Sequence, residues 1–491
     1  MSDRVDFVDT TTRDGNQSLW SATGLTTADV LAIAPTLDRV GYHAVDFTSS
    51  THMAVSVRFH REDPWERIRS MAALMPNTPL SFMTTGMRFI SWAPADEDVI
   101  ALAFGLVARS GVRRMQIADP TNDPERLRRV AAIARRAGIE EIVVGLTYSI
   151  SEVHTTAYYA QRAAALADCA EMDRLYLKDP GGLLTVDSVR ALAPALLAAA
   201  GSRTLELHSH CTTGLAPLVY VEGVRAGFRA VHTASGPLSR GSAQPEVSGT
   251  ARNLAAAGYG NTLDLEAEAL VAAHFAEIAA VKGLPSGLPQ ELDSAYYRHQ
   301  LPGGMVSTTR RMLHEMRRGE LFDAMIEEVP RVRAEMGYPI LVTPVSQFVA
   351  TQAARNVIDA ERWLNVSDET VRFFLGHYGE PPAPVDAEIA ARVLALPAAR
   401  SLGELEPLRL EGARRRFGRR ISDEDLLLAL TMPADQVDAM VAARGAPAPP
   451  PAARPGRAPL VTLLAELARR PAVTHLSLTK GDDALEWHRA G

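Results

Sequence analysis

Short apolar runs rich in β-branched residues recur along the first half of the chain. Eight of these runs predict β-strands, at residues 5–11, 44–49, 80–86, 114–120, 141–149, 174–180, 204–210 and 230–236. Most are apolar at nearly every position, which is typical of strands in a parallel sheet that is covered on both faces. The hydrophobic pattern therefore predicts an α/β protein.

The segments between these runs carry apolar residues at helical spacing, as in DVLAIAPTLDRVG and DPERLRRVAAIARRAG. Each segment is long enough for the crossover helix of a βαβ unit. Eight strands within 236 residues match the count and length of a (β/α)8 TIM barrel. A doubly wound open sheet is the alternative, but the first strand is not followed by the GxGxxG turn of a dinucleotide-binding fold.

Beyond residue 270 the pattern becomes mostly helical. We therefore predict a barrel domain at 1–270 and a helical C-terminal domain at 271–445. The segment APAPPPAARPGRAP predicts an extended Ala/Pro linker at 446–459. The remaining tail, 460–491, is too short to form a stable core by itself.

Composition and charge narrow the classes of function. The net charge is −7, so no basic surface predicts nucleic-acid binding. Two cysteines exclude a disulfide framework. No signal segment and no apolar run of about 20 residues is present, so we expect a cytoplasmic protein without membrane insertion.

Polar side chains stand where three predicted barrel strands end, which is where barrel enzymes carry their active sites. These residues are Arg13, Asp14 and Gln17, then Lys178, and finally His208 and His210. Alternate residues of a strand share a face, so His208 and His210 can point together into the barrel mouth. Two imidazoles and a carboxylate predict a divalent metal site.

Lys178 is conspicuous because the chain has only three lysines among its 51 basic residues. A buried amine can lose its proton and react, whereas a guanidinium cannot. A lysine retained at a strand end therefore indicates chemistry that arginine cannot provide.

These motifs resemble the carboxyltransferase domain of biotin-dependent enzymes, a family that includes pyruvate carboxylase, the oxaloacetate decarboxylase α subunit and the transcarboxylase 5S subunit. The resemblance lies in DTTTRDGNQS, LKDPGG and HSHCTTG, and it extends through EDPWERIR, AQPEVSG and YRHQLPGGM. It covers residues 1–440. The Arg-Asp-Gly and His-x-His parts are shared with the wider metal-dependent barrel superfamily of Claisen-type lyases.

The resemblance implies the role of each matched residue. Asp14, Lys178, His208 and His210 would bind Zn, Mn or Co, with the lysine carbamylated. Arg13 and Gln17 would contact the keto and carboxylate oxygens of the substrate. Ser242, which precedes Ala-Gln-Pro where the family has Thr, would carry a proton.

The residues around this metal motif depart from the family pattern. Thr85 stands where the family has a substrate-side Arg, which Arg88 would replace spatially. Trp92 stands where the family commonly has Tyr, and Ala54 replaces an acidic residue in the loop after the second strand. No Met-Lys-Met segment for biotin attachment is found, so biotin would be on a separate carrier protein or would not be used.

We therefore predict a metal-dependent carboxyltransferase or decarboxylase that acts through the enolate of an α-keto acid or a related carboxylic acid. A Claisen or retro-aldol lyase of the same superfamily is one alternative, and a non-catalytic binding subunit is another. The partners implied by the resemblance are a small keto acid, carboxybiotin in trans, and a second copy of the chain in a homodimer.

Overall fold

The computed structural model describes residues 4–91, 93–359, 361–404, 406–418, 420–445, 451–452, 474–480 and 483–488. Eight parallel strands form a closed barrel in chain order, and the last strand pairs with the first. These strands, β1 to β8, are Asp6–Asp9, Ala44–Ser49, Leu80–Thr85, Val112–Ala118, Glu141–Thr147, Arg174–Asp179, Thr204–Ser209 and Ala230–Thr233. The predicted (β/α)8 barrel is confirmed, and the open-sheet alternative is excluded because the sheet closes on itself.

Helices cover the outside of the barrel. The first twelve, α1 to α12, are Asn16–Trp20, Thr27–Leu31, Ala34–Leu37, Ser50–Val55, Pro64–Leu74, Glu97–Arg109, Pro124–Arg136, Thr156–Leu166, Val186–Ala200, Ala216–Ala226, Val247–Ala256 and Leu265–Lys282. Asp63, Asp96 and Asp123 accept hydrogen bonds from backbone amides at the starts of α5, α6 and α7. These side-chain caps explain why each crossover helix begins where it does.

The predicted helical character beyond the barrel is confirmed. Helices α13 to α22 are Tyr296–His299, Gly303–Glu315, Phe322–Glu335, Val345–Ile358, Asp368–Phe374, Ala387–Leu394, Pro397–Gly403, Leu410–Phe417, Asp423–Thr431 and Ala434–Ala443. An antiparallel hairpin of β9, His475–Lys480, and β10, Asp483–His488, follows. Among the described residues, no helix combines the length and the apolar character that crossing a bilayer requires.

Among the described residues, the buried hydrophobic side chains form two separate cores. One fills the space between the barrel strands and their helices, and it includes Leu427, Leu428 and Met440 of α21 and α22. The second lies among the helices of 301–402. The last helix pair therefore packs on the barrel although it follows the second core in sequence, and the domain limits at 270 and 445 remain predictions.

Residues 301–402 also contact the carboxyl ends of the barrel strands. Arg333 of α15 donates to the Ser149 hydroxyl at 2.7 Å and to the Ile150 carbonyl at 2.8 Å. Arg126 of α7 donates to the Tyr378 carbonyl at 3.2 Å. These bonds hold the second core over the barrel mouth.

Candidate active site

A cavity of about 120 Å³ opens at the carboxyl ends of the strands. Both parts of the chain build its walls. From the barrel come Arg13, Asp14, Gln17, Ser18, Ser49, Ser50, Thr51, Met83, Thr85, Arg88, Ile90, Ser91, Lys178, Pro180 and His210, and from the segments beyond it Pro302, Val342 and Thr343. Most of the predicted site residues therefore surround one space, which is lined by hydroxyl, cationic and apolar groups.

The four predicted metal ligands lie together and are buried. The Asp14 Oδ2 atom is 3.2 Å from His208 Nε2 and 3.6 Å from His210 Nε2. Lys178 Nζ is 3.5 Å from both Asp14 Oδ2 and His208 Nε2. Residues that are far apart in sequence thus converge because β1, β6 and β7 end at the same rim of the barrel.

The glycines after Lys178 fix the neighbouring loops. Gly182 has a φ of +66°, and a Cβ atom there would lie 2.5 Å from the His210 carbonyl oxygen. Asp179 accepts hydrogen bonds from the Leu183 and Leu184 amides at 2.8 and 2.9 Å, and from the Ser209 hydroxyl at 2.7 Å. The Lys-Asp-x-x-Gly motif therefore joins the end of β6 to the end of β7.

The hydrogen bonds of the two histidines determine their tautomers. His210 Nδ1 is 2.6 Å from the Ser242 carbonyl oxygen, which can only accept, so Nδ1 carries the proton. His232 Nε2 is 2.9 Å from Glu206, and His232 Nδ1 is 3.1 Å from His208 Nδ1. His232 therefore donates to the carboxylate and accepts the Nδ1 proton of His208.

Both imidazoles consequently present an Nε2 lone pair toward the Asp14 carboxylate. The Gln244 side-chain amide donates to His208 Nε2 at 3.2 Å and to His210 Nε2 at 2.9 Å, and its own oxygen accepts from Thr10 at 2.8 Å. A cluster of electron-pair donors of this kind suits a cation. One carboxylate, two imidazoles and a lysine fit a borderline divalent transition metal.

Electrostatics keep these groups in states that can bind a metal. Burial raises the pKa of Asp14, but Arg13 and Lys178 outweigh it and hold that pKa well below its usual value. Burial and the charge of Lys178 lower the pKa of His208 well below its usual value. Burial also lowers the pKa of Lys178, although Asp14 opposes that shift.

Arg13 lies at the rim of the cavity between two carboxylates. Its NH1 is 3.0 Å from Asp14, and its Nε donates to Asp46 of β2 at 2.8 Å. Burial alone would lower the pKa of Arg13, but Asp14 and Asp46 raise it above its usual value. The guanidinium is therefore charged and held in one orientation.

The remaining predicted residues are placed differently. Gln17 and Arg88 line the cavity, and Arg88 lies with its guanidinium carbon 4.2 Å from the centre of the Tyr378 ring and donates to the His377 carbonyl. The Ser242 hydroxyl donates to the Ser18 carbonyl at 2.9 Å, and Ser242 is not among the cavity-lining residues. Trp92 lies outside the described residues.

Four buried residues that contact the predicted site residues directly or through one further side chain were not predicted from sequence: Asp46, Glu206, His232 and Gln244. Gln244 lies within the Ala-Gln-Pro motif, so its place beside Ser242 was a usable signal. His232 lies in the run AVHT of β8, and a histidine inside a barrel strand is a signal of the same kind. For Asp46 and Glu206, the sequence shows only a single acidic residue in an apolar strand, which does not indicate a functional role.

Two family models match the chain. One, described as HMGL-like, matches residues 4–236, and the other, described as a conserved carboxylase domain, matches residues 296–453. The first covers the barrel strands, and the second covers the helices from α13 onward.

Individual proteins are similar over most of the chain. A pyruvate carboxylase subunit of Methanocaldococcus jannaschii is 34% identical over 79% of this chain and 68% of its own length. The methylmalonyl-CoA carboxyltransferase 5S subunit of Propionibacterium freudenreichii subsp. shermanii is 31% identical over 77% of this chain and 74% of its own length. The carboxyl transferase domain of Rhizobium etli pyruvate carboxylase, solved with pyruvate and biocytin, superposes with a TM-score of 0.77 at 23% identity, over 90% of this chain and 78% of that chain.

Proposed function

We propose that this chain, which belongs to the carboxyltransferase family of biotin-dependent enzymes, moves a carboxyl group through the enolate of an α-keto acid or a related carboxylic acid. One observation carries the proposal: a buried carboxylate and two imidazole lone pairs converge beside a cavity that a charged arginine also lines. Enolate formation needs electron withdrawal from a keto oxygen and binding of the carboxylate; a cation held by these ligands would supply the first, and the arginine would supply the second.

Asp14, Lys178, His208 and His210 are the proposed ligands of a divalent ion such as Zn²⁺, Mn²⁺ or Co²⁺. When bound, such an ion supplies Lewis-acid polarisation of a carbonyl and stabilises enolate charge. The donor set of carboxylate and imidazole is typical of these ions and not of Mg²⁺ or Ca²⁺, which prefer oxygen ligands.

Lys178 is proposed to act as its carbamate. A neutral amine adds to CO₂ and releases one proton, and the product has a carboxylate where the ammonium group was. The short separation of Nζ from Asp14 and His208 supports this, because the added carboxylate enters the group of donor atoms. Two carboxylates so close together require a cation between them.

Arg13, Gln17 and Arg88 are the proposed substrate-binding residues, together with Trp92. Arg13 is the charged donor nearest to the ligand cluster, and Asp46 holds it in place. Arg88 brings a second guanidinium to the cavity wall. Keto acids offer the two groups that this wall suits, a carbonyl and a carboxylate.

Ser242 is the proposed proton-carrying hydroxyl. Its donation to the carbonyl of Ser18, a cavity-lining residue, places the hydroxyl one hydrogen bond from the cavity wall.

We infer that carboxybiotin on a separate carrier protein supplies or accepts the carboxyl group, with a biotin-independent reaction as the alternative. A homodimer remains a prediction.

The Claisen or retro-aldol lyase is the second candidate because the barrel alone matches the HMGL-like model. The match of residues 296–453 to a conserved carboxylase domain favours carboxyl transfer instead. A non-catalytic binding subunit is disfavoured by the complete set of metal-binding groups.

Incubation of the metal-loaded protein in D₂O with a panel of keto acids and malonate-type acids tests this function. NMR follows exchange of the α-carbon protons and loss of CO₂, with and without free biotin. We expect deuterium incorporation into a keto acid. Incorporation that requires biotin indicates the biotin-dependent reaction, and incorporation without biotin indicates the biotin-independent one. Formation of acyl-CoA or aldehyde products without release of CO₂ indicates the lyase. No exchange across the panel would contradict enolate chemistry.

A further inference from the structure

The C-terminal hairpin carries a second group of metal-binding side chains, far from the barrel in sequence. His475 at the start of β9 pairs directly with His488 at the end of β10. Glu486 precedes His488 by two positions, so it projects from the same face of the hairpin. Two imidazoles and one carboxylate therefore share one face at the open end of the hairpin.

The side chains of this group converge closely. The His475 and His488 ring centres are 4.4 Å apart, and His488 Nε2 is 3.7 Å from the Glu486 carboxylate. One ligand atom from each of the three residues lies within 4.8 Å of the others. In a tetrahedral zinc complex, ligand atoms lie about 3.4 Å apart, since each is about 2.0–2.2 Å from the metal. The three atoms therefore need to approach one another by at most about 1.4 Å, which rotation of the side chains between staggered rotamers can supply.

The group is open to solvent on this face. The side chains of His488 and Glu486 are each 65% exposed, so rotation costs no packing and an ion reaches them without unfolding of the chain. The opposite face of the hairpin carries the pair Leu476 and Trp487, which are half-buried. The histidine face is therefore the more exposed of the two and the one that is open to a ligand.

We propose that His475, Glu486 and His488 form a second site for a divalent transition-metal ion such as Zn²⁺, separate from the barrel site. Two imidazoles and a carboxylate select ions of borderline softness over Mg²⁺ and Ca²⁺. Three protein ligands leave a position for water or for a donor from another molecule. The ion links the first residue of β9 to the last of β10, so it also closes the open end of the hairpin.

Competition between the full-length chain and a chromogenic chelator for Zn²⁺ tests this site. We expect wild type to bind one more equivalent than His475→Ala or His488→Ala. His208→Ala should lose the Zn²⁺ equivalent of the barrel site and retain that of the hairpin. This variant therefore distinguishes binding at the hairpin from binding at the barrel. The variant His488→Cys should restore the lost equivalent, because a thiolate also binds zinc.

His314→Ala is the matched control, since it removes an exposed histidine outside the group. It should bind as many equivalents of Zn²⁺ as wild type. The proposal is overturned if wild type and both hairpin alanine variants bind equal numbers of equivalents, or if His314→Ala lowers binding as much as they do.

Discussion

His208 and His210 present the same nitrogen to the cavity for two different reasons. A backbone carbonyl fixes the Nδ1 proton of His210, whereas His232 and Glu206 fix that of His208. Burial raises the pKa of Glu206, but Arg114 and His232 outweigh it, so that pKa lies below its usual value. The carboxylate thus orients His232, and His232 orients His208.

Replacement of His232 by phenylalanine tests this chain of hydrogen bonds. Phenylalanine keeps a ring against Tyr176, whose ring centre is 5.7 Å away, but it cannot accept the His208 proton. Loss of such an orienting partner lowers metal affinity about 10–100-fold. The dissociation constant for Zn²⁺ at the barrel site, measured against a chelator, should rise by that factor.

His274→Phe is the matched control because His274 is also buried, and its ring bonds the Asp29 carbonyl at 2.7 Å, away from the ligand cluster. It should leave metal affinity unchanged. Equal affinity of His232→Phe and wild type would refute the orienting role.

Single residues were predictable where a motif set them apart. Lys178 stood out against a chain of arginines, and the His-x-His spacing predicted a shared face that the structure bears out. Asp46 and Glu206 were not predictable, because their partners Arg13 and Arg114 lie 33 and 92 positions away and only the closed barrel brings them together.

At the level of elements, a network of charges closes the amino-terminal end of the barrel. Arg114 of β4 is fully buried and pairs with Glu206 at 2.6 Å and Glu141 at 2.9 Å. Arg174, at the start of β6, pairs with Glu141 at 2.7 Å and with Asp6 at 3.3 Å. The network therefore joins β1, β4, β5, β6 and β7, and through Glu206 and His232 it supports His208 of the proposed metal site.

Arg114→Leu should lower the free energy of unfolding by about 3 kcal/mol, because the buried Glu206 carboxylate loses its Arg114 pair and keeps only His232 and the longer contact with Arg174. Urea denaturation followed by circular dichroism measures this. Arg113→Leu, the neighbouring and less buried position, should change stability by no more than about 0.5 kcal/mol. Similar losses for the two variants would show that the network does not stabilise the barrel.

The strands were predicted to within a few residues because a parallel sheet covered on both faces imposes an apolar pattern that is visible without tertiary information. Helix α9 was predictable for a similar reason, since Thr185 caps its start and apolar residues recur along it. The packing of α21 and α22 on the barrel core was not predictable from the sequence, because helical periodicity identifies an apolar face but not the surface against which it packs.

On the scale of the whole molecule, the cavity is a joint product of the barrel and the helices that follow it. Pro302, Val342 and Thr343 come from beyond the barrel and line the cavity beside Lys178. Arg88 reaches from the loop after β3 to His377 and Tyr378. Substitutions of Pro302, Val342 or Thr343 should therefore change the shape of the proposed substrate cavity directly.

The three lysines also allow a matched test of the whole account. Lys178→Arg keeps a positive charge but cannot form a carbamate, so it removes one ligand of the proposed metal site. Lys282→Arg is the control, because its ion pair with Asp29, at 2.6 Å, can be kept by arginine.

The decisive measurement is the rate of deuterium incorporation, in D₂O, into the keto acid that wild type exchanges, compared among wild type, Lys178→Arg and Lys282→Arg. The rate for Lys178→Arg should be lower than that of wild type by more than about 100-fold, since loss of an orienting partner alone lowers metal affinity or activity about 10–100-fold. Lys282→Arg should match wild type. A Lys178→Arg protein that exchanges at the wild-type rate would contradict the proposed role of Lys178 and of the metal site built around it.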